Sequence, residues 1–185
     1  PSIPTTSDAV LINGNYNTDL NGSFDVCSVT IAPGKTLTVE GESSIIIQND
    51  LTIDGTLDVL DKGSLVMVND AGVVTNNGTG TAKIHRLTTP YKKSDYTYWS
   101  TPVTSTTIKT TFTGWKTSRS YEYNPVNFND ANGDGLDDDG NVWVSTKIMT
   151  PAKGCIIMVP DPTPTINTNE VTFTGVVNNG IQRID

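Results

Sequence analysis

The densest chemistry in the chain is one acidic stretch, Asp130-Ala131-Asn132-Gly133-Asp134-Gly135-Leu136-Asp137-Asp138-Asp139-Gly140-Asn141. Asp130, Asn132 and Asp134 alternate and are followed by Gly135, which is the D-x-[DN]-x-[DN]-G pattern of calcium loops. Calcium is a hard cation that takes six to eight oxygen ligands. Alternate side chains on a tightly curling chain converge and supply three of them. Gly135 permits the sharp turn that aims the Leu136 carbonyl at the ion. Asp138, at the ninth position, ligates directly or through water, and Asp139 is the nearest compensating acid. Five carboxylates crowded into one turn repel one another unless a cation sits among them. The expected ligand set is therefore Asp130, Asn132, Asp134, Leu136, Asp138 and Asp139, with Ca2+ as the ion. The alternative is a solvated acidic turn without metal.

The twelfth position departs from the helix-loop-helix calcium sensors, which place a bidentate Glu there. This chain has Asn141, a single neutral oxygen. No amphipathic helix flanks the stretch. It resembles instead the helix-free loops of thrombospondin type 3 repeats and dockerins, which implies a structural ion rather than a signalling one.

The elements that must hold this loop read as strands. Hydrophobic residues make up 35% of 185 residues, charged residues only 17%, and the formal net charge is -8. Thr and Val favour strands, while Gly, Asn and Asp favour turns. The sparse Lys and Arg argue against nucleic acid and anionic membranes as partners. No apolar run is long enough to span a bilayer.

Residues 1–89 contain an internal repeat. Leu37 and Leu57, Val39 and Val59, Ile45 and Leu65, Ile47 and Met67, Asn49 and Asn69, and Asp50 and Asp70 all share one spacing. Val29-Thr30-Ile31 matches Leu51-Thr52-Ile53 two residues further apart. Within each copy the apolar residues alternate, which marks strands with one buried face. A repeat of ~20 residues with three short strands predicts a β-solenoid, because a single coil cannot bury its own inner face. Asn49 above Asn69 predicts an amide ladder at a corner. Ala71 to Arg86 reads as a poorer further coil, and Ala9 to Gly14 as the start of the first. A flat antiparallel meander is the competing arrangement.

Residues 90–185 lose the repeat and gain aromatic side chains. Strands are expected at Tyr96 to Thr101, Ser118 to Tyr123, Val142 to Met149, Cys155 to Val159 and Glu170 to Val177, with a short helical turn within Thr104 to Thr111. Cys155 to Val159 is uniformly apolar and reads as a central strand covered on both faces. Pro160, Pro162 and Pro164 end it in an exposed loop. Ile181 to Asp185 reads as a strand cut or just finished, so the chain is expected to be part of something longer. The expected fold class is all-β: a short β-solenoid over 1–89, then a β-sandwich-like module over 90–185 that carries the calcium loop.

The remaining candidates are weaker. Cys27 shares strand parity with Val29 and Ile31 and is expected inside the coil, with Cys155 in another core, so both are read as free buried thiols. His85, the single histidine, has no second histidine for a zinc site and reads as a surface or interface residue. Asp54 and Asp58 read as turn and outward-facing residues rather than a glycosidase pair. Trp99, Trp115 and Tyr121 read chiefly as core residues, with stacking on sugars as the alternative.

Four stretches together resemble large surface proteins of Bacteroidota. The coils Gly34-Lys35-Thr36-Leu37-Thr38-Val39 and Leu51 to Val59 are similar to theirs. So are Tyr96 to Val103, Pro151-Ala152-Lys153-Gly154-Cys155, and Phe173 to Gly180, in the same order. The resemblance implies export by the type IX secretion system, an extracellular or cell-surface location, a long parent chain with neighbouring domains, and adhesion, including adhesion for gliding motility. It passes on no catalytic residue, and a non-enzyme is expected. Surface glycans are candidate ligands. The alternative function is part of a secreted polysaccharide-degrading enzyme or a carbohydrate-binding module.

Overall fold

The computed structural model describes residues 3–104, 106–162 and 167–183. The first ten strands are β1 (Ala9–Ile12), β2 (Tyr16–Asn17), β3 (Phe24–Val26), β4 (Ser28–Ile31), β5 (Thr36–Val39), β6 (Ser44–Ile47), β7 (Leu51–Ile53), β8 (Thr56–Val59), β9 (Ser64–Met67) and β10 (Val74–Asn76). With β11 (Thr81–Leu87) they wind a β-solenoid of about four turns. Its three faces are the parallel sheets β1-β4-β7-β10, β2-β5-β8-β11 and β3-β6-β9.

The repeat pairs of the sequence are the stacking partners of the coils. Leu37 pairs with Leu57, Val39 with Val59, Ile45 with Leu65, Ile47 with Met67, and Ile31 with Ile53. Their side chains form columns along the axis, and those of the second and third coils are almost wholly buried on two faces. The corner ladder is present as well. Asn69 Nδ2 donates to Asn49 Oδ1 at 3.0 Å, and Asn49 Nδ2 donates onward to the Cys27 sulfur at 3.3 Å. Cys27 is therefore not the inward filler that strand parity predicted. The chain turns at this corner before β4 begins, so the alternation breaks between Cys27 and Val29, and Cys27 is only half-buried. Both cysteines are free.

Glycine at the next corner follows from the stacking distance. A Cβ on Gly55 would run into the backbone carbonyl oxygens of Ala32 and Lys35 in the coil beneath. Coils about 4.8 Å apart leave no room for a side chain directed along the axis.

The rest of the chain is antiparallel. It comprises β12 (Tyr96–Trp99), β13 (Thr106–Thr107), β14 (Lys116–Tyr123), β15 (Trp143–Ser145), β16 (Ile148–Met149), β17 (Cys155–Met158) and β18 (Glu170–Gly175). The helical turn expected within Thr104 to Thr111 is α2 (Ile108–Thr111); a first turn, α1, spans Thr18–Asn21. The main sheet runs β12-β17-β14-β15, so β17 is central as expected, but it is covered on one face only: Cys155 and Ile157 are buried, while Ile156 and Met158 on the other face are half-buried. Strand β18 adds antiparallel to β11 and extends a solenoid sheet. The four-stranded sheet packs on β18 through Trp99, Phe112, Trp115 and Phe173, whose rings meet at 5.1–5.9 Å between centroids. One hydrophobic core continues from Ile12 to Phe173.

Two stretches of the family resemblance meet at the top of the solenoid. Asn178 Nδ2 donates to the Thr101 and Val103 carbonyls, and Val103 bridges to Val177. Asn179 Nδ2 donates to the carbonyls of Asn69 and Gly72 and so caps the asparagine corner. Beyond this, Ile181 to Arg183 form no strand, contrary to the sequence reading; Ile184 and Asp185 lie outside the described residues, as does Pro164. Pro160 and Pro162 follow β17 and are half-buried rather than exposed. Among the described residues no helix is long and apolar enough to cross a membrane.

Candidate functional site

The acidic stretch connects β14 to β15, and its stem is tied where the two strands diverge. Asn124 N donates to the Val142 carbonyl at 2.7 Å, and Asn127 Nδ2 to the Asn141 carbonyl at 3.1 Å. Between them the chain curls as the sequence pattern requires. Gly133 and Gly135 both sit at φ 81°, a left-handed conformation that favours glycine. Each alternate side chain accepts a hydrogen bond from an amide two residues or more ahead. Asp130 accepts from Gly133, Asp134 and Gly135 at 2.6, 3.1 and 2.9 Å. Asn132 Oδ1 accepts from Asp134 N at 2.9 Å, and Asp134 Oδ1 from Leu136 N at 2.8 Å. Asp138 closes the curl by accepting from Ala131 N at 2.7 Å and from Asn132 Nδ2 at 3.1 Å.

These bonds link Asp130, Asn132, Asp134 and Asp138 to one another, and of the expected ligands only Asp130 is half-buried; Asn132, Asp134, Leu136, Asp138 and Asp139 are exposed. The linked side chains are aimed at backbone amides. Among the described residues no three His, Cys, Asp or Glu side chains converge on one point as metal ligands. The donor chemistry nevertheless suits calcium, since every group is a hard oxygen and Asp130 Oδ2, Asp134 Oδ1 and Asp138 Oδ1 each accept a single hydrogen bond and keep a further lone pair. One further oxygen bears on the fit. Asp137 Oδ1 accepts from Asn129 N at 2.9 Å, but Asp137 Oδ2 is shielded from solvent and has no hydrogen-bond partner among the described residues. A shielded carboxylate oxygen without a partner is costly. Asp137 was absent from the ligand set read from the sequence, because it occupies the eighth position, which the calcium pattern leaves unassigned.

A second cluster joins residues that the sequence kept apart. His85 Nε2 lies 2.8 Å from Asp58 Oδ1, and His85 Nδ1 lies 2.9 Å from Glu170 Oε1, with Thr172 Oγ1 at 3.2 Å. Asp58 is on β8, His85 on β11, and Glu170 and Thr172 on β18, so the imidazole bridges three strands of one sheet. Carboxylates only accept, so the ring satisfies both when each nitrogen carries a proton. The arrangement staples β18 to the solenoid. The sequence hid it because Asp58 and Glu170 become neighbours only through the antiparallel return of β18. The one available signal was the shared outward parity of Asp58 and His85.

The aromatic candidates divide. Trp99 and Trp115 belong to the core cluster and are not available for sugar stacking. Tyr121 is half-buried on the opposite face of its sheet, tilted against Tyr96 at 6.2 Å. The exposed aromatic side chains on this half of the chain are others: Tyr98, Phe128 and Tyr123, with Trp143 beside Tyr123.

The fold thus places the chain among β-solenoid proteins with an appended antiparallel module. The chain belongs to the family described as a domain of unknown function, DUF8693, whose model matches residues 1–185. No curated protein and no solved structure matches it.

Proposed function

We propose that this chain is a structural and adhesive module of a large bacterial cell-surface protein, stiffened by calcium bound in the 130–141 loop. The observation that carries the reading is the pre-curled oxygen-rich loop with the partnerless Asp137 Oδ2, mounted on a body whose core is continuous. Asp130, Asn132, Asp134, the Leu136 carbonyl and Asp138 would hold the ion, with Asp137 supplying the oxygen that Asn141 does not and Asp139 adjacent. The ion would neutralise the crowded carboxylates and fix the β14–β15 connection. Solenoid stacking supports a load-bearing role, since each coil rests on the next through its whole length.

Location outside the cell, export by type IX secretion and neighbouring domains in a longer chain are supported by the resemblance to Bacteroidota surface proteins. The meeting of two of the resembling stretches, at Val103 and Asn178, gives them a joint structural purpose. Millimolar extracellular calcium would fill even a site with a dissociation constant of ~10⁻⁴ to 10⁻³ M.

The alternative, turnover of a polysaccharide, has the Asp58–His85–Glu170 cluster in its favour. Both ring nitrogens face carboxylates there, at 2.8 and 2.9 Å, so the imidazole is turned toward its own sheet rather than toward a substrate. The test is attachment of protein-coated beads to glycan-coated and bacterial surfaces, with calcium and with chelator, alongside a reducing-sugar assay. Calcium-dependent attachment without turnover supports the proposal. Sugar release that is lost in His85→Gln overturns it.

A further inference from the structure

The strand register gives the β12-β17-β14-β15 sheet two unlike faces. Trp99, Cys155, Ile157 and Ser120 point into the core. By alternation the opposite face carries Tyr98, Ile156, Tyr121 and Ser145 in one row, Tyr96 and Met158 on one side of it, and Tyr123 with Trp143 on the other. This face is the reason the uniformly apolar β17 does not need a covering layer: tyrosines on both flanking strands half-bury Ile156 and Met158. Tyr98 is 79% exposed, Tyr123 48% and Trp143 38%. Tyr123 and Trp143 meet edge to face at 5.5 Å.

We propose that this face is a carbohydrate-binding platform for a neutral polysaccharide chain; the inference deepens the adhesive reading and rests on it. All five aromatic side chains on the face are Tyr or Trp, which pair an apolar ring with a polar edge. A sugar ring has the complementary form, an apolar C–H face with a hydroxyl rim. None of the paired strand positions on the face is Asp or Glu, although the chain carries a net charge of -8, and the charges at its margins are mixed in sign: Lys116 beside Met158 is paired with Asp161, Arg119 sits at the β14 bulge, and Glu122 and Lys153 lie beside Tyr123. A face whose centre is uncharged and whose margins carry both signs favours no ligand of one charge. Beside Tyr123 lies a recess of about 600 Å³ lined by Glu122, Asn124, Pro125, Val126 and Lys153, which sets hydrogen-bonding groups next to the rings. A second copy of the chain fits less well, because two bodies of like net charge would meet and the aliphatic residues are half-buried between the rings.

The test is calorimetric titration of the calcium-loaded chain with neutral hexasaccharides of glucose, xylose, mannose and N-acetylglucosamine. Tyr98→Ala and Trp143→Ala are run in parallel, with far-ultraviolet dichroism and melting temperature showing that they fold. At least one hexasaccharide binds the wild type, and each substitution weakens that binding by roughly tenfold or more. Absence of binding at millimolar sugar, or binding that survives both substitutions, overturns the platform. Self-association in the ultracentrifuge that disappears in Tyr98→Ala also overturns it, by assigning the face to a second copy. Beads that attach while no sugar binds remove the platform alone; beads that never attach remove the adhesive reading.

Discussion

Leu57→Ala and Leu65→Ala delete the same atoms at different places in the coil stack. Leu57 is fully buried, with Leu37 beneath it and Ala82 above. Leu65 has Ile45 beneath it and no strand above, because the fourth coil has only β10 and β11, and it is half-buried. At about 0.8 kcal/mol per buried methylene, plus a cavity that rigid neighbours cannot close, Leu57→Ala should cost about 3–4 kcal/mol. Leu65→Ala loses about half the transfer energy and leaves no closed cavity, so it should cost about 1 kcal/mol. Urea unfolding followed by far-ultraviolet dichroism measures both. With a slope of about 2 kcal/mol per molar, the two midpoints should differ by roughly 1 M. Equal costs would refute the reasoning, for they would mean that something covers β9 in solution or that the columns do not carry the stability.

Two further perturbations test separate parts of the fold. Gly55→Ala pushes a methyl group into the Ala32 and Lys35 carbonyls and should destabilise by more than about 2 kcal/mol, whereas Gly14→Ala, with open space around it, should be neutral within about 0.5 kcal/mol in the same urea assay. Burial, and then the nearby Glu122 carboxylate, push the Cys155 thiol up from 9.0 to about 11, so at pH 8 a disulfide-exchange reagent should modify Cys27 and spare Cys155 until the chain unfolds. The native state then keeps a proton that the unfolded chain releases, so stability should fall as pH rises between about 9 and 11; Glu122→Gln should narrow that window in melts across this range.

Much of the fold was legible because stacking makes sequence repeat and spatial neighbour the same thing. Leu37 with Leu57, and Asn49 with Asn69, could be paired from spacing alone. Cys27 could not, since its corner lies just outside the strand whose parity seemed to include it. The antiparallel half gave up its strand positions but not its register. Nothing in Tyr98 or Trp143 says which face of a sheet it occupies until Ile156 and Tyr121 are known to lie between them. Trp99 and Trp115 could be read as core by type, but not given partners, because Phe112 and Phe173 are brought in by α2 and by the return of β18. The acidic loop was legible in its curl, because the Asx-type hydrogen bonds are local. The partnerless oxygen of Asp137 was not, because it depends on how the loop folds back over Asn129.

Calcium in that loop is the central claim, and calorimetric titration of the metal-free chain with calcium tests it most directly, paired with melting temperatures of wild type, Asp130→Ala and Asp137→Asn. The wild type should bind one ion with a dissociation constant of ~10⁻⁴ to 10⁻³ M. At calcium tenfold above that value it should gain about 1.4 kcal/mol of stability, and both variants should lose most of the gain. No binding heat up to about 20 mM calcium, together with a melting temperature that chelator leaves unchanged, would contradict the account.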